Sequence, residues 1–465
     1  MTAPITDGAA PEVTVYLNGR RVGTLAGPLN RGSLNRGSLN RGTPGSFTYD
    51  RDVLGDQTAA VSVRLPVRAD PYSEHEALPC FENLLPDGDL RDLLAASVHR
   101  AATDVVGLLG VFGGECAGAL SLWPVGQTPP DTPTYLPCSA DDVRAAFAPS
   151  ALAGPMDLAR SSRADDAGGT VSAGLAGVLA RARMSMSGAQ EKLVLYRRPQ
   201  TGTEPPGVAP EYRLPVAGSP STVLVKRARS RFPGLLQNEL ACMAMMASVG
   251  VPTAEHTVCA LDAGVYETAR FDRVCRADGS VLRLHAEDGC QLTGRTSAAK
   301  YAQTGGPTYA DLTAALRRYG TDPGTDTPLL FRWAVANLAL GNRDAHAKNV
   351  SVLRTADGAV RLAPAYDVVC TMAYTDLNTV LPLLFAGALH LAQLDPTALR
   401  KAARSFGITP ALAKELVADV CDRLNANRDH ALQAAERVAG HHEVLTSVGL
   451  VVAATTVETR RRLLG

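Results

Sequence analysis

The octet Asn342-Arg343-Asp344-Ala345-His346-Ala347-Lys348-Asn349 follows an apolar, helix-patterned run, 327–340, that stops at Gly341. Taken alone, such an octet also fits an ordinary surface loop. The residues after it narrow the choice. NVSVL and AVRLAPAYDVV read as two strands around RTADG, with Asp357-Gly358 at the turn. An antiparallel hairpin centred there brings Asp367 back to the end that carries Asn349 and Asp344. An Asp/Asn oxygen pair beside phosphate oxygens is a natural Mg²⁺ site, because that cation takes hard oxygen ligands and few protein side chains. An aspartate followed five residues later by an asparagine is also the spacing of a protein-kinase catalytic loop. There the aspartate accepts a hydroxyl proton, the asparagine holds metal, and a later aspartate holds a second metal. The pattern predicts phosphoryl transfer, with Asp344 as base and Asn349 and Asp367 as metal ligands. Lys348 is placed to offset charge on the moving phosphoryl group. His346 has two readings, packing the loop or touching the nucleotide.

Such chemistry also needs a cation on the nucleotide phosphates, held by an acid from a helix. Lys226 ends the strand-like run STVLVK. Glu239 lies 13 residues on, in LLQNELACMAMMASV (235–249), a helix pattern closed by Gly250. Exposed lysines and glutamates are common, so the pair gains weight from its order, upstream of the loop and hairpin. Only six of the 46 basic residues are lysine, which makes a lysine inside a structured motif stand out. Backbone donors for phosphate are expected from Ser187-Gly188-Ala189-Gln190, ahead of the strand that begins near Glu191 and Lys192. A plain turn is the alternative there. Neither GxGxxG nor a Walker A motif occurs, which disfavours a P-loop NTPase.

These residues need a scaffold, and 465 residues suffice for two or three domains. A composition 46% apolar and 20% charged is globular. Balanced charge, 46 basic against 46 acidic residues, argues against nucleic-acid binding through bulk charge. Nine cysteines without a CxxC pair disfavour a disulfide framework or zinc ribbon and fit a reducing compartment. The start, MTAPITDGAAPEV, has no secretory pattern, and no apolar run approaches a membrane span.

Along the chain, VTVYLNGRRVGT reads as a hairpin about Asn18-Gly19. Leu-Asn-Arg-Gly then recurs from Leu29, Leu34 and Leu39. That period is too short for a solenoid and is read as a surface loop. SFTYD and AVSVRL read as strands and DLRDLLAASV as a helix. Residues 125–140 are rich in Pro and Thr, 141–160 look helical, and 161–177 are small and polar. Residues 199–219 are loop-like, 256–260 and 264–268 strand-like, and the tail from 396 is helical in pattern.

The motifs SMSGAQEKLVLY (185–196), VLVK (223–226), RFPGLLQNEL (231–240) and ARFDR (269–273) are followed by RLHAEDGCQLTG (283–294), NRDAHAKNVSVL (342–353) and LAPAYDVV (362–369). In this order they resemble the HipA family, serine/threonine kinases of bacterial toxin–antitoxin modules. LNGRRVGTL, GSFTYD and FENLLPDGDLRDLLA resemble the family's N-terminal module. The likeness spans nearly the whole chain, with the 29–42 repeat as an apparent insertion. It implies an α+β, protein-kinase-like bilobal fold, divided as a HipA N-terminal-like module (1–125), an N-lobe region with the nucleotide-binding loop (126–268) and a mainly helical C-lobe (269–465).

Carried over, the resemblance makes Asp344 the catalytic base and Asn349 and Asp367 the Mg²⁺ ligands. Lys226 grips the ATP phosphates and the 187–192 turn lies over them. Ala269, Arg270 and Phe271 line the adenine through backbone groups, and His346 and Tyr366 border the nucleotide. The family often has Glu where this chain has Ala269. Ser185 corresponds to a serine whose autophosphorylation pulls the phosphate-binding loop out, since a phosphate dianion is not tolerated beside ATP. His285, Glu287 and Asp288 mimic a metal set, but the family uses that segment structurally. The implied partners are a protein substrate, in known relatives an aminoacyl-tRNA synthetase, and a HipB-like helix-turn-helix antitoxin through which DNA is met indirectly. The implied setting is cytoplasmic, with no membrane, and the implied role is a growth-inhibiting toxin. Rival readings are a small-molecule or lipid kinase on the same fold and a pseudokinase interaction module. The presence of Lys226, Asp344, Asn349 and Asp367 argues against the last.

Overall fold

A computed structural model describes residues 11–27, 46–148, 178–179, 182–185, 191–198, 210–228, 231–374 and 379–465. The chain divides into two compact units. The first comprises Met1–Pro137, Ala145–Glu191 and Arg213–Pro220, the second Cys138–Arg144, Lys192–Tyr212 and Ser221–Gly465. The expected middle segment, 126–268, contributes to both.

In the first unit the Asn18-Gly19 turn closes an antiparallel hairpin of Glu12–Leu17 and Arg20–Ala26, with both turn residues at positive φ. Ser46–Tyr49 and Tyr72–Ser73 extend the sheet on one side and Leu120–Pro124 on the other. Helices Glu74–Glu82, Gly88–Ser97 and Val105–Phe112 accompany it. The expected strand AVSVRL does not form. Residues 57–59 make a 3₁₀ turn and Ser62 bridges only to Leu65. The Tyr49 hydroxyl accepts from Val61 N–H (2.9 Å) and donates to Leu65 O (2.5 Å). Side-chain bonds thus satisfy backbone groups that a ladder would otherwise take. The Pro- and Thr-rich stretch 125–140 and the stretch 199–219 read as a loop both contain strands, Thr134–Pro137 and Tyr212–Val216, with Tyr135 opposite Pro215. Proline is compatible with such pairing where its missing N–H falls outside the ladder.

In the second unit four antiparallel strands lie in the order His256–Val258, Val265–Ala269, Val223–Arg227, Lys192–Arg197. Lys192 and Lys226 are directly opposite each other. Helix Leu235–Ser248, rich in Leu, Ala and Met, is buried around most of its circumference, as expected of a central helix. Gly250, at φ +80°, follows its end. Helix Pro323–Ala339 begins four residues before the expected start, because Asp322 accepts from Thr325 N–H and Pro323 fits the first turn. The tail forms helices Pro396–Phe406, Pro410–Ala439 and Val444–Leu464.

His285–Asp288, Ser351–Arg354 and Val360–Leu362 form a small antiparallel sheet. The second arm of the expected hairpin is short. Pro364 lacks an N–H, and Ala365 instead pairs with the other side, donating to Pro252 O and accepting from Ala254 N–H.

None of the nine cysteines forms a disulfide. Among the described residues no helix is long and apolar enough to cross a membrane.

Gly341, at φ +68°, turns the chain from helix Pro323–Ala339 into the octet, and a Cβ there would lie 2.9 Å from Val451 Cγ1. Gly341→Ala is expected to lower stability by about 1–3 kcal/mol, read as a lower denaturation midpoint in urea. A midpoint equal to wild type would remove the claim that this turn needs glycine.

Candidate active site

The site is built from one strand, one helix and two loops of the second unit. Lys226 projects from Val223–Arg227 beside the Tyr266 ring, 5.4 Å from its centroid. Its ammonium donates to Glu239 Oε1 at 2.8 Å and to Asp367 Oδ1 at 2.6 Å, with 6% of the side chain exposed. Burial alone would lower the lysine pKa, but the Asp367 and Glu239 carboxylates outweigh it and hold the ammonium charged. Burial would likewise raise the Asp367 pKa. Lys226 leads the opposing contributions, with Lys192 and His346, and the net effect holds this carboxyl well below the usual range. Glu239 is pushed up by burial, against the pull of Lys226.

Asp367 adopts φ +59°, unusual for a residue with a Cβ. Its neighbours keep it there. The Tyr366 hydroxyl donates to Lys348 O at 2.6 Å and lies 2.6 Å from Ser351 Oγ, which ties this segment back to both sides of Asn349. The expected convergence of Asp367 on the Asn349 end therefore occurs, through Tyr366 and not through a continuous strand. On the other side, Asn238 is fully buried beside Glu239. Its Oδ1 accepts from Cys370 N–H (2.9 Å) and its Nδ2 donates to Cys370 O (3.0 Å). Sequence reasoning missed Asn238. The available signal was a polar residue inside an otherwise apolar helix.

The octet is a compact loop. Asp344 N–H donates to Asn342 Oδ1 (2.9 Å), and Asp344 O accepts from His346 N–H (2.7 Å) and Asn349 Nδ2 (2.9 Å). The Asp344 side chain is exposed and accepts at Oδ1 from the Tyr301 hydroxyl, 2.6 Å away. His346 is buried with its ring 5.0 Å from that of Tyr301, in an edge-on contact, and its charge acts on Asp367. Lys348 is also buried, with Nζ 3.7 Å from Asp288 Oδ2. Tyr301 is a second residue not legible from spacing, since it lies 43 positions before Asp344.

The remaining expected residues are distributed as follows. Lys192 is buried opposite Lys226 and adds positive charge toward Asp367 and Glu239. Glu191 immediately precedes its strand. Ser187, Gly188, Ala189 and Gln190 lie outside the described residues. Ser185 belongs to the first unit, where its fully buried hydroxyl donates to Leu84 O at 2.7 Å. The N–H groups of Ala269 and Arg270 are bonded to Glu255 O and Thr222 O, so these two donors face the protein and not a base. The Arg270 guanidinium is committed to Asp272 and Ser221. Phe271 stacks on Tyr366 with centroids 5.4 Å apart. His285 and Glu287 are 3.8 Å apart, and Asp288 caps helix Gly289–Thr293. Among the described residues no group of three or more His, Cys, Asp or Glu is arranged to hold a metal.

The donor chemistry fits Mg²⁺ held jointly with phosphate. Asn349 spends its amide nitrogen on Asp344 O, which leaves its carbonyl oxygen as a ligand atom. Asp367 has a second carboxylate oxygen beyond the one on Lys226. One carboxylate and one amide oxygen suit a cation that takes its other ligands from water and phosphate.

Comparison with known proteins bears on the family and the fold. The HipA-like C-terminal domain matches residues 184–428 and the HipA N-terminal domain matches residues 13–123. The Y4mE protein of Sinorhizobium fredii is 33% identical over 380 residues, covering 81% of this chain and 84% of that protein. The serine/threonine-protein kinase toxin HipA of Shewanella oneidensis is 26% identical, over 65% of this chain and 64% of its own length. A solved complex of HipA, HipB and operator DNA from Shewanella oneidensis MR-1 contains a chain that superposes with a TM-score of 0.73. The overlap covers 96% of this chain and 99% of that one, at 19% identity. The fold is thus the HipA-like α+β architecture, a mixed N-terminal module followed by a mainly helical C-terminal lobe. The chain belongs to the HipA family.

The lowered pKa of Asp367 has a measurable consequence. A carboxyl held below its unfolded value of about 4 stabilises the fold above that pH, and the contribution fades as pH falls toward the folded value. Asp367→Asn tolerates the same backbone but cannot titrate. In thermal melts from pH 7 to pH 3, the wild type is expected to lose its advantage over D367N below about pH 4. A difference that stayed constant with pH would rule out the Lys226–Asp367 pair as its source.

Proposed function

We propose that this chain is a Mg²⁺·ATP-dependent serine/threonine protein kinase that transfers the γ-phosphate to a protein hydroxyl. The observation that carries this reading is Lys226 held between Glu239 and Asp367, with Asn349 bonded to Asp344. In the reaction the substrate hydroxyl oxygen forms a bond to the γ-phosphorus. The bond from that phosphorus to the bridging oxygen breaks, its electron pair leaves on ADP, and the hydroxyl proton passes to Asp344. Lys226, oriented by Glu239, faces the phosphates with Lys192 behind it. Phe271, His346 and Tyr366 border the nucleotide. Mg²⁺ on Asn349 and Asp367 would supply charge neutralisation on the phosphates. Lys348, paired with Asp288, fixes the loop from beneath and keeps its positive charge close to the transfer. Most of the rate comes from positioning and electrostatics.

The solved complex of a HipA with HipB and operator DNA supports a HipB-like antitoxin as partner, with DNA met through it. The toxin name of the Shewanella relative supports a growth-inhibiting role. Asp344→Ala is expected to cut γ-³²P transfer by about 10²–10⁴-fold while ATP affinity stays within a few-fold. Wild-type transfer by D344A would remove Asp344 as the base.

Ser185 is the proposed site of autophosphorylation. Its hydroxyl is fully buried against Leu84 O, so the segment has to leave this position before it can accept phosphate. Mass spectrometry of protein incubated with Mg²⁺·ATP is expected to find phosphate on Ser185 in the wild type and none in D344A. An unmodified Ser185 in active protein would overturn that assignment.

A further inference from the structure

A carboxylate on an exposed loop rotates among several staggered states unless something holds it. The peptide of Asp344 is fixed at both its N–H and its C=O, but this leaves its side chain free to turn. The contact that addresses the side chain is the Tyr301 hydroxyl, donating to Oδ1 at 2.6 Å. We infer that Tyr301 is a positioning residue for phosphotransfer, an inference that rests on the kinase reading above. With Oδ1 committed to the phenol, Oδ2 is the oxygen that accepts the proton of the substrate hydroxyl.

The phenol is presented by a built loop. Lys300 O accepts from Ala347 N–H of the octet at 3.1 Å, and Ala302 N–H donates to Pro382 O at 2.8 Å, so both neighbours of Tyr301 are tied down. Tyr301 O accepts from Gly306 N–H at 2.8 Å. A Cβ at Gly306 would lie 2.5 Å from that carbonyl and 2.6 Å from Ala299 O, so the close return of the chain needs glycine there. The edge-on contact with the His346 ring fixes the orientation of the tyrosine ring. Backbone anchoring from the octet itself means that the donor and the carboxylate keep their register if the loop shifts.

Tyr301→Phe removes the hydroxyl and keeps the ring, and Tyr301→Ala removes both. If the hydroxyl orients Asp344, Y301F is expected to lower kcat about 10–100-fold with KM for ATP within about two-fold of wild type and an unchanged melting temperature. Y301A is expected to lose little more. A wild-type kcat in Y301F, with or without a loss in Y301A, would overturn the inference and assign any effect to ring packing. A rise in KM matching the fall in kcat would also overturn it. Wild-type protein is assayed beside the variants. Absence of transfer in the wild type defeats the kinase reading itself, whereas an active wild type with an equally active Y301F defeats only the role of Tyr301.

Discussion

An ammonium group inside a protein sheds its proton or finds carboxylates, because burying an uncompensated charge costs several kcal/mol. Lys226 has two, at 2.6 and 2.8 Å. One comes from helix Leu235–Ser248 and the other from a loop 141 residues further on. The strand, the helix and the Asp367 loop are therefore held to a common point by electrostatics. Loss of either carboxylate leaves the other elements packed around a charge that is only half matched. The arrangement also keeps the ammonium charged, because the same carboxylates that compensate Lys226 oppose its deprotonation.

The surrounding hydrogen bonds hold this point in place. Asn238 grips both backbone groups of Cys370, three residues beyond Asp367, and so couples that segment to the helix that carries Glu239. Tyr366 ties the other side of Asp367 to Lys348 and Ser351. Between them Asp367 is kept at positive φ, a conformation that persists only where neighbours over-determine it. Gly341 and Gly289 work by absence of a side chain. A Cβ on Gly289 would lie 2.6 Å from Ala347 O, so helix Gly289–Thr293 can approach the octet only through glycine.

Local pattern read most elements correctly where the pattern was strong. The Asn18-Gly19 hairpin, helix Leu235–Ser248 with Gly250 beyond it, and the helical tail each follow from short-range turn chemistry or periodicity. It failed where a side chain or a distant partner took over a backbone group. AVSVRL has strand-like residues, yet the Tyr49 hydroxyl claims Val61 N–H and Leu65 O. The Pro/Gly-rich stretch before Ser219 hides a strand, Tyr212–Val216, because pairing with Thr134–Pro137 is a long-range event that composition does not report.

The sequence by itself determined which charged and polar groups are present and in what order. A strand lysine, a helix glutamate, an Asp–Asn loop and a returning aspartate are all set by residue type, spacing and local turns. Tertiary structure alone decided their partners. It placed Lys226 on both acids, turned the amide of Asn349 toward Asp344 O, committed the N–H groups of Ala269 and Arg270 to Glu255 and Thr222, and laid Tyr301 on Asp344. The reason is that a buried polar group takes whichever complementary group packing brings within about 3 Å, and that choice is made among residues far apart in the chain.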